Sequence, residues 1–164
     1  MQRSLQTQAE KVNVMGKPFR VLVQYRNVSQ AFGRILRLDN NAGFEERNHD
    51  QDYWKKLLAQ KAYKSFTQLL PFTNDFQQHN VEIKIDALPS GQYILLLSDD
   101  IAFALDSGKF AAQPFDVSDI SYINNGGDYF VLNRETGQPV QQANVKIDAL
   151  TYNYNTNRYS SSLV

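Results

Sequence analysis

Cysteine is absent from the 164 residues. That excludes a disulfide framework, a thiolate nucleophile and any zinc site built on cysteine. It leaves the compartment open, because an exported domain with a large enough core needs no disulfide. Net charge is missing too: Lys+Arg and Asp+Glu number 17 each. A nucleic-acid or polyanion binder usually carries a basic excess, so the balance argues against that class of partner. No run of one charge sign is long enough to act as an interaction tail. Long apolar runs are also lacking. The longest, such as YILLL at Tyr93–Leu97, are of strand length and far short of a membrane span. The opening MQRSLQTQAEKVNVMG contains no apolar stretch of the kind a signal peptide needs. There is no internal repeat and no low-complexity linker.

What is present is strand. Apolar residues make up 42% and aromatics 12%, enough for a real core. Residues 1–15 are polar and Gln-rich, and read as a tail or a short leading helix. From Phe19, apolar Phe19, Val21, Val23 and Tyr25 alternate with Arg20, Leu22, Gln24 and Arg26, as a half-buried strand requires. Phe32, Ile35 or Leu36, and Leu38 repeat the pattern. With Asn27–Ser29 as the link, Arg20–Tyr25 and Arg34–Leu38 are expected to pair as a hairpin. Tyr53, Trp54, Leu57 and Leu58 then recur at helical spacing, predicting one short amphipathic helix over about 50–61 that Asn48 or Asp50 could cap. Trp54, the lone tryptophan, is expected to anchor that helix to the sheet. Further strands are predicted at Tyr63–Leu69, Val81–Ile85 and Gln92–Ser98, with an extended run from Phe115 to Ile123. Six or seven strands before Ile123 and two or three after it, separated by turn signals, point to an all-β, immunoglobulin- or fibronectin-like antiparallel sandwich with one inserted helix.

Groups that could carry chemistry are few. His49 and His79 have no helical partner at i, i+4 and match no metal-ligand spacing, so they read as exposed or capping histidines. The acidic pairs Glu45–Glu46 and Asp99–Asp100 lack the several close oxygen ligands of a calcium site, and read as solvated loops. NNGGD at Asn124–Asp128 is a turn; it has neither the Lys-Ser/Thr nor the following helix of a phosphate loop. Ser160–Ser162 lie in a polar stretch with no base or oxyanion donor placed beside them. Tyr152, Tyr154 and Tyr159 alternate with polar residues. They could stack on sugars or bases, although alternation is what any strand needs. No catalytic, cofactor-binding or metal-ligating residue is assigned.

One late stretch is more specific. YFVLNRETGQPVQQANVKI, opening at Tyr129, reads as strand, charged turn, strand. Thr136-Gly137-Gln138-Pro139 makes the tip, with Gly137 free to take positive φ and Pro139 stiffening the exit; Val140, Ala143 and Val145 are expected to return to the core. Together with LPSGQYILLLSDD and PFDVSDISYI before it, this stretch resembles the bacterial alpha-2-macroglobulin-like proteins of the Bacteroidetes type. In that family an LP-x-G-x-Y turn and strand end one macroglobulin-like domain. A V-S-D strand then leads into the next, which opens on a V-x-(D/N)-x-x-T-G-x-P pattern. Val131, Asn133, Thr136, Gly137, Pro139, Val140, Ala143 and Val145 match that opening. The likeness covers residues 63–148; earlier residues fit only in general character.

The resemblance implies residues 16–118 as one macroglobulin-like sandwich and 119–164 as a linker strand with the first strands of a second, truncated one. It implies a non-catalytic structural and interaction module of a large cell-envelope protein that traps proteases, in the periplasm or anchored to the outer membrane. The implied partners are the neighbouring domains of the same parent, proteases through that parent, and a second copy through the terminal strands. The family's thioester requires a cysteine, so these residues do not carry it. A carbohydrate- or peptide-binding sandwich of another exported bacterial protein is the alternative.

Overall fold

Alternation tells which residues share a face, and the structure shows which strands lie beside one another. A computed structural model describes residues 3–38, 51–71, 75–105, 108–153 and 158–163. The chain divides into two units, Met1–Asp119 and Ile120–Val164.

In the first unit, β1 (Ser4–Gln8), β3 (Phe19–Arg26) and β6 (His79–Ile85) form one antiparallel sheet in the order β1-β3-β6. The second sheet runs β2-β8-β7-β4-β5, with β2 (Val12–Asn13), β4 (Gln30–Leu38), β5 (Lys64–Leu69), β7 (Gly91–Ser98) and β8 (Phe110–Val117). Among the described residues only the β2–β8 pair is parallel. The chain thus starts in one sheet and crosses within a few residues to the edge of the other. Two antiparallel sheets joined in this way make an immunoglobulin-like sandwich, as the turn spacing predicts.

Between the sheets, Leu5, Val21, Val23, Tyr25, Ile83 and Ile85 meet Ile35, Tyr93, Leu95, Leu97, Phe115 and Val117. Each fully buried side chain of this kind contributes on the order of 1.5–3 kcal/mol. A second cluster lies on the outer face of the five-stranded sheet. There Leu36, Leu38, Ile94 and Leu96 are covered by Leu57 of α1 (Gln51–Leu58) and by Phe103, with Trp54 and Phe110 packed against them. A strand covered on both faces has no polar face to show. That is why β7 is buried without interruption from Tyr93 to Ser98 and reads YILLLS. Trp54 meets the Phe110 ring edge-on at 5.0 Å, so it does anchor the helix. The helix is shorter than the predicted 50–61; its candidate caps Asn48 and Asp50 lie outside the described residues.

Several pairings differ from expectation. Arg20–Tyr25 and Arg34–Leu38 do not form a hairpin. β3 pairs with β1 and β6, whereas β4 pairs with β5 and β7. The link crosses the sandwich instead of turning within a sheet: Asn27 takes a left-handed φ of 53°, and Val28 is buried in the core. The two apolar faces therefore look at each other across the core. The segment read as a tail or leading helix, residues 1–15, contains β1 and β2 among its described residues, 3–15. β1 is an edge strand that buries only Leu5, so its sequence stays polar. The run from Phe115 to Ile123 is broken at Ser118–Asp119. β8 starts earlier, at Phe110, and β9 (Ile120–Asn125) belongs to the second unit. Eight strands, rather than six or seven, precede that break among the described residues.

Among its described residues the second unit contains two antiparallel strand pairs. β9 pairs with β10 (Asp128–Asn133) around Gly126 and Gly127, both at positive φ, the backbone that a two-residue hairpin turn demands. β11 (Asp148–Asn153) pairs with β12 (Arg158–Leu163). The Thr136–Pro139 tip forms as predicted. Asn133 Oδ1 accepts the Glu135 and Thr136 amides at 3.1 and 2.9 Å, and Gly137 sits at φ 69°. The return strand does not form. A single bridge, Leu132 to Pro139, made by the Val140 amide to Val131 O and the Asn133 amide to Gln138 O, precedes the chain's departure from the ladder. Residues 141–147 form no strand, and Val140 and Val145 are 36% and 48% exposed instead of returning to a core.

Candidate functional site

Of the sequence candidates, the structure describes His79, Asp99–Asp100, Asn124–Asp128, Tyr152 and Ser160–Ser162, with Tyr159 through its backbone register. His79 Nε2 lies 2.8 Å from Asp75 Oδ1, and its ring lies 5.8 Å from that of Tyr25, whose hydroxyl donates to Pro71 O at 2.7 Å. These contacts tie Asp75 and Pro71 to the first sheet. His49 and Glu45–Glu46 lie outside the described residues.

Asp99–Asp100 is not a solvated loop. The Asp99 side chain is only 4% exposed; it pairs with Arg3 at 2.7 Å and accepts the Lys109 amide at 2.6 Å. Asp100 accepts the amides of Ala102 and Ala104 at 3.1 and 3.2 Å. Asp100 and Asp99 Oδ1 therefore hold the turn after β7, while Asp99 Oδ2 forms the ion pair with Arg3. Among the described residues, no group of three or more His, Cys, Asp or Glu is placed to hold a metal ion. No helix among them is long and apolar enough to cross a membrane.

Ser160–Ser162 fall within β12 rather than in a tail, opposite Ala149, Leu150 and Thr151. Tyr152 and Tyr159 are directly paired in register, and Tyr154 lies outside the described residues. A better-defined aromatic face is one that sequence reasoning missed. On β9–β10, Tyr122 and Tyr129 have ring centroids 6.1 Å apart, with Asn124 opposite Tyr129 on the same face. Tyr122 is 69% exposed. The opposite face of this ribbon carries Ile123 and Phe130, paired in register and both exposed.

The remaining feature is backbone. β2 engages only the last part of β8: Asp116 donates to Lys11 O at 2.7 Å and Ser118 donates to Asn13 O at 2.9 Å. The β7–β8 register runs without a bulge. Two-residue periodicity therefore aims the backbone groups of Pro114, Ala112 and Phe110 outward in the same row. Proline costs no ladder bond there, which is why an edge position tolerates it. The Pro114 carbonyl is occupied by the Gln113 side-chain amide at 2.9 Å. Among the described residues, no strand pairs with the outward N–H and C=O groups of Phe110 and Ala112. Beside them opens a cleft of about 560 Å³ between this edge and β1. The sequence signal for it was Pro114 inside an otherwise strand-like FAAQPFDV.

A scan against protein-family models finds no match, and a search of curated proteins finds none. Among solved structures the chain is similar to the CARDB domain of a Pyrococcus furiosus protein, crystallised in complex with di-metal ions. Identity is 12% and the TM-score 0.40, with 71% of this chain and 92% of that one covered. The solution NMR structure of that domain gives 11% and 0.37, with 70% and 93% covered. Likeness of this degree carries no argument about ligands, and the sandwich stands on the sheet order described above.

Proposed function

We propose that the chain is a non-catalytic structural and interaction module of a large, cell-envelope, alpha-2-macroglobulin-like protein. In this reading the first unit is one macroglobulin-like sandwich and the second supplies opening strands of the next. The module contributes surface rather than chemistry, and it meets proteases only through its parent.

The observation that carries the reading is the β9–β10 ribbon. Ile123 and Phe130 stand exposed on one face, and Ile120 and Tyr122 on the other. A ribbon wet on both faces would be polar on both. Contiguous apolar exposure marks a surface made to be covered, and two strands cannot cover it alone. The Thr136–Pro139 tip that follows supports the same reading, because it is the part of the family pattern whose turn geometry depends on Asn133 and Gly137.

The test is the size of the native polypeptide, read by blotting cells with an antibody to this chain. A band many times larger than the chain is expected, and a band of the chain's own size would sink the proposal. A second reading, a carbohydrate-binding module of another exported bacterial protein, is favoured by the Tyr122–Tyr129 face with Asn124 beside it. Unchanged tyrosine fluorescence at saturating oligosaccharide would count against it.

A further inference from the structure

We propose that the outward edge of β8 at Phe110–Ala112 is a strand-addition site for an extended, uncharged peptide segment of a partner protein. This stands independently of the parentage proposed above.

Near its start the first unit changes sheets. β1 pairs with β3 in the first sheet, and β2 pairs with β8 in the second. In crossing at Ala9–Lys11, the chain abandons the row that would have continued β2 backward along β8. Two N–H and two C=O groups, at Phe110 and Ala112, are left in that row without a partner strand among the described residues, spaced as an extended strand would meet them. Exposed ladder groups of this kind are templates for a further strand.

The neighbouring cleft gives that strand its chemistry. Its walls include Gln6, Gln8, Gln24, Thr7, Phe110 and Ala112, and no charged residue among the described ones lines it. A charged side chain entering there would lose water without gaining a counter-ion. Amide and hydroxyl walls beside alanine and phenylalanine suit short uncharged β-formers such as Thr, Ser and Val. An independent observation points the same way. Thr7 lines the cleft, and its Oγ1 is turned away from solvent with no hydrogen-bond partner among the described residues. A buried polar atom left unsatisfied is costly, and rotation of the Thr7 side chain toward an added strand would supply its partner. Pro114 and the Gln113 cap on its carbonyl close the row on the β2 side, which limits the open template to Phe110–Ala112.

The test uses the full chain and one probe, the blocked hexapeptide acetyl-Thr-Val-Ser-Val-Thr-Ser-amide. Saturable binding is expected, with hydrogen exchange at the Phe110 and Ala112 amides slowed tenfold or more. Ala112→Pro removes one outward donor at a position in the same row as the tolerated Pro114. It is expected to weaken binding tenfold or more while leaving the unfolding midpoint unchanged. Thr7→Val keeps the shape and deletes the hydroxyl; it is expected to weaken binding several-fold without loss of stability. If Ala112→Pro does not fold, Thr7→Val and the exchange pattern decide. No binding, binding without protection of those two amides, or full binding by Thr7→Val would overturn the proposal. Protection without peptide that grows with protein concentration, together with a doubled mass, would assign the edge to a second copy and overturn the partner assignment.

Discussion

Gly33 on β4 is a position where one methyl group decides packing. It sits directly opposite Phe66 of the edge strand β5, and a Cβ added to it would fall 2.2 Å from Phe66 Cζ. The ring lies over the bare backbone, so Gly33→Ala must push it aside. A loss of about 1–3 kcal/mol is expected, as for other overpacked sites, measurable by urea denaturation. Tyrosines 25 and 93 offer a second readout. Burial pushes both hydroxyls above their ordinary value; Asp75 adds to this at Tyr25, and Arg37 opposes it at Tyr93. The folded state therefore favours the neutral phenol. Its contribution is complete below pH ~10 and falls away as pH climbs through the raised folded values. An ultraviolet titration should show some of the nine tyrosines ionising late, together with unfolding. All nine titrating near pH 10 with the fold intact would contradict this. Asp99 shows what sequence cannot supply at this scale. Its partner Arg3 lies in a segment whose polar composition read as a tail, so the carboxylate looked solvated.

At the scale of elements, α1 was legible because Tyr53, Trp54 and Leu57 recur at three-and-four spacing. Eight residues are too few to hold a helix in water, so its stability must come from the sheet it covers. Leu57, 3% exposed, is the contact that buries it. Leu57→Ala is expected to cost about 2–5 kcal/mol. It should also red-shift the Trp54 emission as the indole leaves Phe110, which makes fluorescence the natural measurement. Most strands were equally legible, and their partners were not. Val21, Val23 and Ile35 alternate identically whether β3 and β4 lie side by side or face to face; only the left-handed Asn27 and buried Val28 distinguish the two. β1 was missed because an edge strand with one buried residue carries almost no apolar signal. The start of β8 was missed because Pro114 interrupts its pattern. The cleft at its edge is made largely of backbone groups, which every residue type shares, so sequence could offer no more than that proline.

At the scale of the molecule, all described members of both apolar clusters lie at or before Val117. A chain cut after Asp119 is therefore expected to fold and to unfold cooperatively, checked by thermal denaturation followed by circular dichroism. Loss of cooperativity would mean that the first unit borrows stability from the second. The parallel β2–β8 pair has a mechanical consequence. Tension along the polypeptide enters the first unit ahead of β2 and leaves it beyond β8. Because the two strands run in the same direction, that pull slides one along the other instead of peeling them apart. The bonds from Asp116 to Lys11 and from Ser118 to Asn13 bear the force side by side, and one cannot open while the other holds. A sandwich strung in series with others would thus resist stretching through a clamp only two residues long, at the place where its first strand changes sheets.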